Sequence, residues 1–251
     1  MISAVILSKN NENTLRRTIE SLSWCSEIII IDDNSIDNTL ILANKYGARI
    51  ITNDLDDDFS KQRNLALKEA KFPWVFFVDS DEIVTEELSR EIDRKIRSSK
   101  GISGFSLRRQ DIVFGKRLKY GETSRVKFLR LGRKEAGKWY RPVHEEWRMK
   151  GVINELESPI LHYPFVTVAQ FLEKINVYSS LKARYLYQNG VKIFWWQIIV
   201  YPAAKFVKNY LVYQGFRDGT AGIIHAIMMS FHSFLTRAKL WQLWDTKTPR
   251  T

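Results

Sequence analysis

Residues 74–82 read Trp74-Val75-Phe76-Phe77-Val78-Asp79-Ser80-Asp81-Glu82. The first five form an unbroken apolar run of β-branched and aromatic side chains, which predicts a short strand buried on both faces. The run stops at a cluster of carboxylates. Upstream the same grammar recurs. Residues 27–31 read as a second buried strand that ends in Asp32-Asp33, and residues 2–7 and 48–52 as two more strands. Between them, residues 14–24 carry Leu15, Ile19 and Leu22 on one helical face. Residues 37–46, 60–70 and 85–97 also read as helices, with Gly47 suited to a C-cap and Thr85 to an N-cap. Apolar strands alternating with helices predict an α/β fold with a mostly parallel central sheet covered on both faces. Ligands in such sheets bind beyond the carboxyl ends of the strands, and here two of those ends are acidic.

The chain has 251 residues, of which 45% are hydrophobic and 27% charged, the balance of a folded protein and not of a disordered one. A single cysteine, Cys25, excludes an intrachain disulfide and fits a reducing compartment. The N-terminal apolar run lacks a basic flank and a cleavage site, so it reads as a first strand and not as a leader. The formal net charge of +11 points by itself to nucleic acid or an anionic membrane. Its distribution narrows the choice. Residues 1–100 hold 14 Lys and Arg against 18 Asp and Glu, whereas residues 101–251 hold 25 against 10. The acidic front half matches nucleic acid poorly, and no nucleic-acid partner is expected.

The character changes after residue 100. Residues 105–109 and 126–131 read as strands among basic turns, and residues 101–150 carry 14 basic against 5 acidic side chains. Beyond residue 165 the spacing is helical, with Phe171, Ile175, Tyr178, Leu181 and Tyr185 in one stripe. Residues 193–204 are uncharged and contain Trp195-Trp196. Residues 219–236 are also uncharged and reach the minimum length of a membrane span. On a helix, however, Asp218, Gly222, His225, His232, Ser233 and Thr236 gather on one side, and Ile223, Ile224, Ile227, Phe231 and Phe234 on the other. That amphipathic pattern suits a helix lying on a membrane surface. Lys192, Lys205, Lys208, Arg237 and Lys239 are the candidates for contact with anionic headgroups. The competing reading is that these helices pack on the sheet or on a second subunit.

Two carboxylates one residue apart at a strand end, Asp79 and Asp81, form a D-x-D pair able to bind Mg²⁺ or Mn²⁺ and, through it, a diphosphate. Asp32-Asp33 can accept hydrogen bonds from a uracil imide or a ribose, or one of the two can cap the following turn. Lys61-Gln62-Arg63-Asn64 opens a helix, where an anion is favoured; the alternative for Arg63 is a plain surface arginine.

Together with Asn10-Asn11-Glu12, these motifs resemble the inverting family 2 glycosyltransferases of the GT-A fold, a Rossmann-like nucleotide-diphospho-sugar transferase fold. The matching stretches are Ala4-Val5-Ile6-Leu7-Ser8-Lys9-Asn10, Ile30-Ile31-Asp32-Asp33-Asn34-Ser35-Ile36-Asp37 and Val78-Asp79-Ser80-Asp81-Glu82. The resemblance implies that Asp33 contacts uracil, that Asp79 lies near the ribose or sugar of the donor, and that Asp81 binds the metal. It implies that Ser8 walls the nucleotide and Arg63 approaches it. Lys9 stands where some relatives carry an aromatic. Arg141-Pro142-Val143-His144-Glu145-Glu146-Trp147 and the later Gln214-Gly215-Phe216-Arg217-Asp218-Gly219 are similar to a narrower group, the lipopolysaccharide-core heptose glucosyltransferases. That likeness makes Glu145 the candidate catalytic base, with Glu146 in reserve. The competing role for Glu145 is an ion pair within a basic segment. His162 is the candidate for a late histidine ligand to the metal or diphosphate, although a lone histidine is more often structural.

The resulting expectation is a metal-dependent, inverting hexosyltransferase using Mg²⁺ or Mn²⁺. It would move a sugar, by resemblance glucose, from a UDP-sugar to a lipid-linked acceptor of the lipopolysaccharide or lipooligosaccharide inner core. Residues 1–165 would form the GT-A domain, with a nucleotide-sugar half (1–100) and an acceptor half (101–165). Residues 166–251 would form a C-terminal amphipathic helical region, and the protein would be cytoplasmic and peripheral on the inner membrane. One alternative is transfer to a polyprenyl-linked or other glycan. Another, from a different class, is a non-catalytic membrane-associated glycan-binding protein, against which the intact Asp33, Asp79 and Asp81 speak.

Overall fold

Side chains alternate cleanly across the strands of the first half. Ala4 and Ile6 of β1 (Ile2–Ser8), Ile30 of β2 (Glu27–Asp32) and Trp74, Phe76 and Val78 of β4 (Trp74–Asp79) enter one core cluster. Val5, Ile29, Ile31, Val75 and Phe77 enter a second. A sheet with both faces apolar has to be covered on both. The computed structural model describes residues 1–56, 58–122, 126–141, 145–164 and 167–245. Strand β3 (Arg49–Thr52) pairs in parallel with β2, β2 with β1, and β1 with β4. This is the parallel sheet expected from the alternation, and the helices between its strands are α1 (Leu15–Ser21), α2 (Thr39–Lys45) and α3 (Phe59–Glu69). The predicted helix-face residues Leu15, Ile19 and Leu22 are all buried. Cys25 packs against the first cluster, and burial pushes its thiol up to about 12, so it is an inert packing residue.

After β4 the chain makes β5 (Glu82–Ile83) and α4 (Glu86–Arg97), whose N-cap is Thr85 as predicted, its hydroxyl accepting from the Leu88 N–H. Then the sheet turns antiparallel. Strand β6 (Ile102–Val113) leads to β7 (Lys116–Arg117), and β8 (Lys127–Arg133) inserts between β4 and β6, antiparallel to both. A separate hairpin, β9 (Gly137–Tyr140) and β10 (Glu146–Met149), opposes Trp139 to Trp147. The two indoles stack at 5.2 Å and both meet Phe77 edge-on. Gly137 is required here by close approach, since a Cβ would collide with the Arg148 carbonyl of the facing strand. Strand β11 (Val152–Glu155) joins β6 in parallel, and β12 (Ile160–His162) pairs antiparallel with β5.

The chain divides into two units: Met1–Arg109 with Val126–His162, and Gln110–Arg125 with Tyr163–Thr251. The segment 110–125 therefore groups with the C-terminal helices and not with the acceptor half in which the sequence places it. The expected boundary at residues 165/166 lies outside the described residues.

The second unit contains α5 (Val168–Gln188), α6 (Trp195–Val207) and α7 (Gly219–Asp245), with α7 packed on both other helices. Among the described residues no helix is long and apolar enough to cross a membrane. The stripe expected on α5 is divided. Phe171 and Ile175 are buried and the row continues through Ser179 and Ala183, whereas Tyr178, Leu181 and Tyr185 are exposed. The buried row steps by four residues and so drifts around the helix, away from the expected heptad-like stripe. Helix α7 does not divide into the expected polar and apolar sides: Ala221, Ala226, Met228 and Leu240 are buried together with small and polar residues. Gly222, His225 and Thr236 face inward while Ile227, Phe231 and Phe234 are exposed. Four of the five cations expected to reach headgroups are occupied within the unit. Lys205 pairs with Glu122, and Lys208 lies over the Tyr213 ring. Arg237 lies over Tyr201, and Lys239 donates to Asn176, Ser179 and Ser180 of α5.

Candidate functional site

The sheet register aligns the predicted site residues along one edge. Ser8, at the end of β1, is level with Asp32, and Leu7 is level with Asp79. The loops after β1 and β2 are stitched together. Asn10 takes a left-handed conformation (φ 52°), its N–H donates to Ser35 Oγ, and its side chain accepts from the Ile36 N–H. Glu12 likewise bridges to Asp37 and Asn38. The two strand-end aspartates have separate tasks. Asp32 caps the turn by accepting from the Ser35 N–H and hydroxyl. Asp33 lies at the mouth, where its carboxylate accepts from the Leu55 N–H at 3.0 Å and from Lys9 Nζ at 2.7 Å. The buried Ser8 hydroxyl donates to Asn11 Oδ1, which fixes the wall of the loop.

Asp79 sits where several elements converge. Its carboxylate accepts two hydrogen bonds from Arg130 of β8, at 2.7 and 3.1 Å, and one from Arg63 of α3 at 3.3 Å. Burial alone would push this carboxyl up. The Arg130 and Arg63 charges, with the Arg130 hydrogen bonds and a contribution from Arg109, outweigh burial and hold it far below the usual carboxylate range. Glu82 behaves oppositely. It is buried, its carboxylate accepts from the Asp79 N–H at 2.9 Å, and burial followed by the adjacent Asp79 charge pushes its carboxyl up.

Arg63 is not a surface residue. It is 4% exposed, its guanidinium lies 4.7 Å from the Trp139 ring and 5.3 Å from Phe77, and it donates to Glu145 at 2.9 Å as well as to Asp79. Glu145 thus comes to the strand ends through an ion pair, the competing role the sequence offered for it. Asn64, the next residue on α3, holds the same hairpin by donating to the Trp139 carbonyl and accepting from its N–H. Glu146 is not brought in. It is half exposed and pairs with Arg148 at the surface. Pro142, Val143 and His144 of the same run lie outside the described residues.

His162 and Asp81 are brought together by a contact between two short strands. Pairing of His162 with Glu82 in the β12–β5 ladder sets the imidazole Nε2 3.4 Å from Asp81 Oδ2. A carboxylate oxygen beside an imidazole nitrogen is a donor set suited to a divalent cation. Among the described residues no group of three or more His, Cys, Asp or Glu is placed to hold a metal ion. Two side chains alone would not fill a cation's shell, so ligand oxygens or water would have to complete it.

Sequence reasoning missed Arg130, Glu82 and Asn64. Arg130 did leave a signal, a lone charge within Phe128-Leu129-Arg130-Leu131, which puts a guanidinium inside a strand whose neighbours are apolar. Asn64 left none.

Comparison with known proteins follows this geometry. The family model described as Glycosyl transferase family 2 matches residues 3–151. Over 252 residues the chain is 30% identical to a lipopolysaccharide core biosynthesis glycosyltransferase, LpsC, of Rhizobium meliloti, covering 96% of this chain and 92% of that one. It is 26% identical over 264 residues to an uncharacterized glycosyltransferase of Rickettsia typhi, covering 96% and 87%. Among solved structures, glucosyl-3-phosphoglycerate synthase from Mycobacterium tuberculosis in complex with Mn²⁺, UDP and phosphoglyceric acid aligns with a TM-score of 0.38 and 24% identity, over 44% of this chain and 43% of that one.

Proposed function

The chain belongs to glycosyl transferase family 2 and is a glycosyltransferase, and from that premise we propose that it moves glucose from a UDP-sugar, with inversion, to an inner-core lipopolysaccharide acceptor. The observation that carries the reading is the convergence of Glu145 on Asp79 through Arg63, beside the Asp81–His162 pair. The relative active in lipopolysaccharide core biosynthesis, aligned over nearly the whole of both chains, supports the acceptor class.

In this mechanism Asp33 accepts a hydrogen bond from the uracil, and Lys9 is the cation that holds it in place beforehand. Asp79, kept anionic by Arg130 and Arg63, accepts from hydroxyls of the donor ribose or sugar. Asp81 and the His162 imidazole would hold Mg²⁺ or Mn²⁺, which would supply positive charge to offset that of the departing diphosphate. Glu145 takes the proton of the acceptor hydroxyl as that oxygen bonds to the anomeric carbon from the face opposite UDP. The anomeric carbon–oxygen bond breaks, its electron pair leaves on the diphosphate, and no covalent glycosyl-enzyme forms. Arg63 orients Glu145 towards that task.

The exposed apolar side chains of the C-terminal unit, Trp195, Ile199, Ile227, Phe231 and Phe234 among them, support peripheral attachment to the cytoplasmic face of the inner membrane. The same surface is the specific observation that favours a second reading, transfer to a polyprenyl-linked glycan. A panel of UDP-sugars incubated with truncated lipopolysaccharides and with polyprenyl-linked saccharides, read by mass, tests both. A hexose added to an inner-core acceptor from UDP-glucose is the expected result. Transfer only to the polyprenyl substrates would replace the acceptor, and no transfer from any UDP-sugar would overturn the donor.

A further inference from the structure

The C-terminal unit holds a basic cleft that the transfer mechanism does not use. It has a volume of about 410 Å³ and is lined by Lys116, Arg117, Lys119, Tyr120, Arg217 and Asp218. Four cations face one carboxylate, and that carboxylate is already spent on the backbone. Asp218 accepts from the Lys119 N–H at 3.1 Å and from the Tyr120 N–H at 3.0 Å. The loop is built, not draped. The next two N–H groups, of Gly121 and Glu122, donate to the Tyr213 carbonyl and to Asn209 Oδ1, both at 3.0 Å, and Asn209 is 2% exposed. Arg217 lies over the Tyr120 ring at 4.5 Å and donates to Gln214. Lys116 and Arg117 project from β7, on a tight turn in which Phe114 and Gly115 both have positive φ. Among the described residues Lys116, Arg117 and Lys119 have no carboxylate at ion-pair distance.

We propose that this cleft binds the phosphate of an anionic lipid headgroup. Concentrated positive charge on a fixed loop selects an anion. The lipid source follows from the neighbours of Arg217 in sequence: Leu211, Val212 and Phe216, in the same short segment, are each at least half exposed. Apolar side chains beside a phosphate site suit a headgroup still attached to its acyl chains, and a soluble phosphate has no use for them. The proposal also places the headgroup contact at this cleft, since most of the cations of the later helices are already occupied. It rests on the reading of the C-terminal unit as membrane-facing, and it is independent of which sugar is transferred.

The test is sedimentation of the full chain with vesicles of phosphatidylcholine alone or mixed with phosphatidic acid. The wild type is expected to bind the mixed vesicles and to release them as salt rises. The double variant Lys116→Glu/Arg117→Glu, checked for native circular dichroism, should partition about tenfold less or weaker still, at the usual strength of one surface charge per basic residue. Phe216→Ser should weaken binding, and Arg94→Glu, an exposed charge on α4, should leave it unchanged. Equal binding by the double variant and the wild type would overturn the proposal while leaving membrane attachment standing. Displacement of the vesicles by millimolar inorganic phosphate would overturn the lipid source and reduce the cleft to a site for soluble anions. Failure of the wild type to bind any vesicle would overturn membrane attachment and this proposal together, with UDP-sugar turnover unaffected.

Discussion

Arg63 donates to Glu145 at 2.9 Å across 82 residues of sequence, from a guanidinium buried between Trp139 and Phe77. One cation thereby fixes the candidate base against the strand end that carries Asp79. Removing it as Arg63→Ala takes the guanidinium away from Glu145 and leaves Asp79 with Arg130 alone. Loss of about 2 kcal/mol of stability is expected, below the full value for a buried pair because both acids are partly solvated. Arg63→Lys should recover part of that stability and little activity, since an ammonium cannot reproduce the two-sided fork. Urea denaturation and UDP release measured on both variants check this. Full activity in Arg63→Lys would remove the orienting role.

Glu145→Gln keeps the hydrogen bond from Arg63 and abolishes proton acceptance. Turnover should fall by about a hundredfold or more, the usual worth of a general base, with little change in the KM for the donor. Glu146→Gln, at the surface beside Arg148, should stay within a few-fold of wild type. If the two variants exchange these phenotypes, the base is Glu146.

Asp81→Asn and His162→Ala should each raise the concentration of Mn²⁺ or Mg²⁺ needed for half-maximal UDP release, by at least about tenfold for loss of one ligand from a two-residue set. Titration of metal against turnover reads this directly. A variant with unchanged metal requirement excludes that residue as a ligand.

Asp79 makes stability depend on pH in one direction. In the folded chain its carboxyl lies far below the ordinary value of 3.8, and in the unfolded chain it returns to that value. The folded state thus gains from the anion, fully so above about pH 5, and the gain drains away as pH falls through and below about pH 4. Wild type and Asp79→Asn should therefore differ most in denaturation midpoint at neutral pH, with the gap narrowing as pH falls below about 4 and not yet closed at about pH 3. A difference that grows on acidification would contradict the ion pairs with Arg130 and Arg63.

Gly137→Ala tests the hairpin that carries Glu145. The new methyl would meet the Arg148 carbonyl, so about 2 kcal/mol of strain is expected from overpacking against backbone. Turnover should fall along with thermal stability. Gly47→Ala meets no neighbouring atom but has a positive φ, so its smaller cost should appear in stability alone.

Much of the first unit was legible because its signals are local. An apolar run ending in carboxylates is visible in nine residues, and alternation of strands with helices fixes which end of the sheet is acidic. Family resemblance singled out Asp79 and Glu145 as candidates, but their shared arginine could not be read from it. That contact depends on how β9 and β10 fold back over Phe77, and no periodicity in residues 137–149 encodes a two-tryptophan stack. The Asp81–His162 approach was hidden for a similar reason, because the β5–β12 ladder is too short to leave a pattern. The C-terminal helices were legible as helices, but which of their residues are buried was not. Apolar residues normally face inward, whereas on α7 close approach of Gly222 to the Gly215 carbonyl draws small and polar residues inward as well.

The loop of residues 119–122 carries a consequence for how the chain is made. Its four backbone N–H groups find their acceptors at Asp218, Tyr213 and Asn209, up to 99 residues later. At about 5–20 residues per second of translation, those donors remain hydrated for roughly 5–20 s after they emerge. The first unit has by then received its last strand, so the basic cleft can take shape only after residue 218 has emerged. A nascent chain would assemble the proposed lipid-phosphate cleft only after the strands of the first unit are already in place.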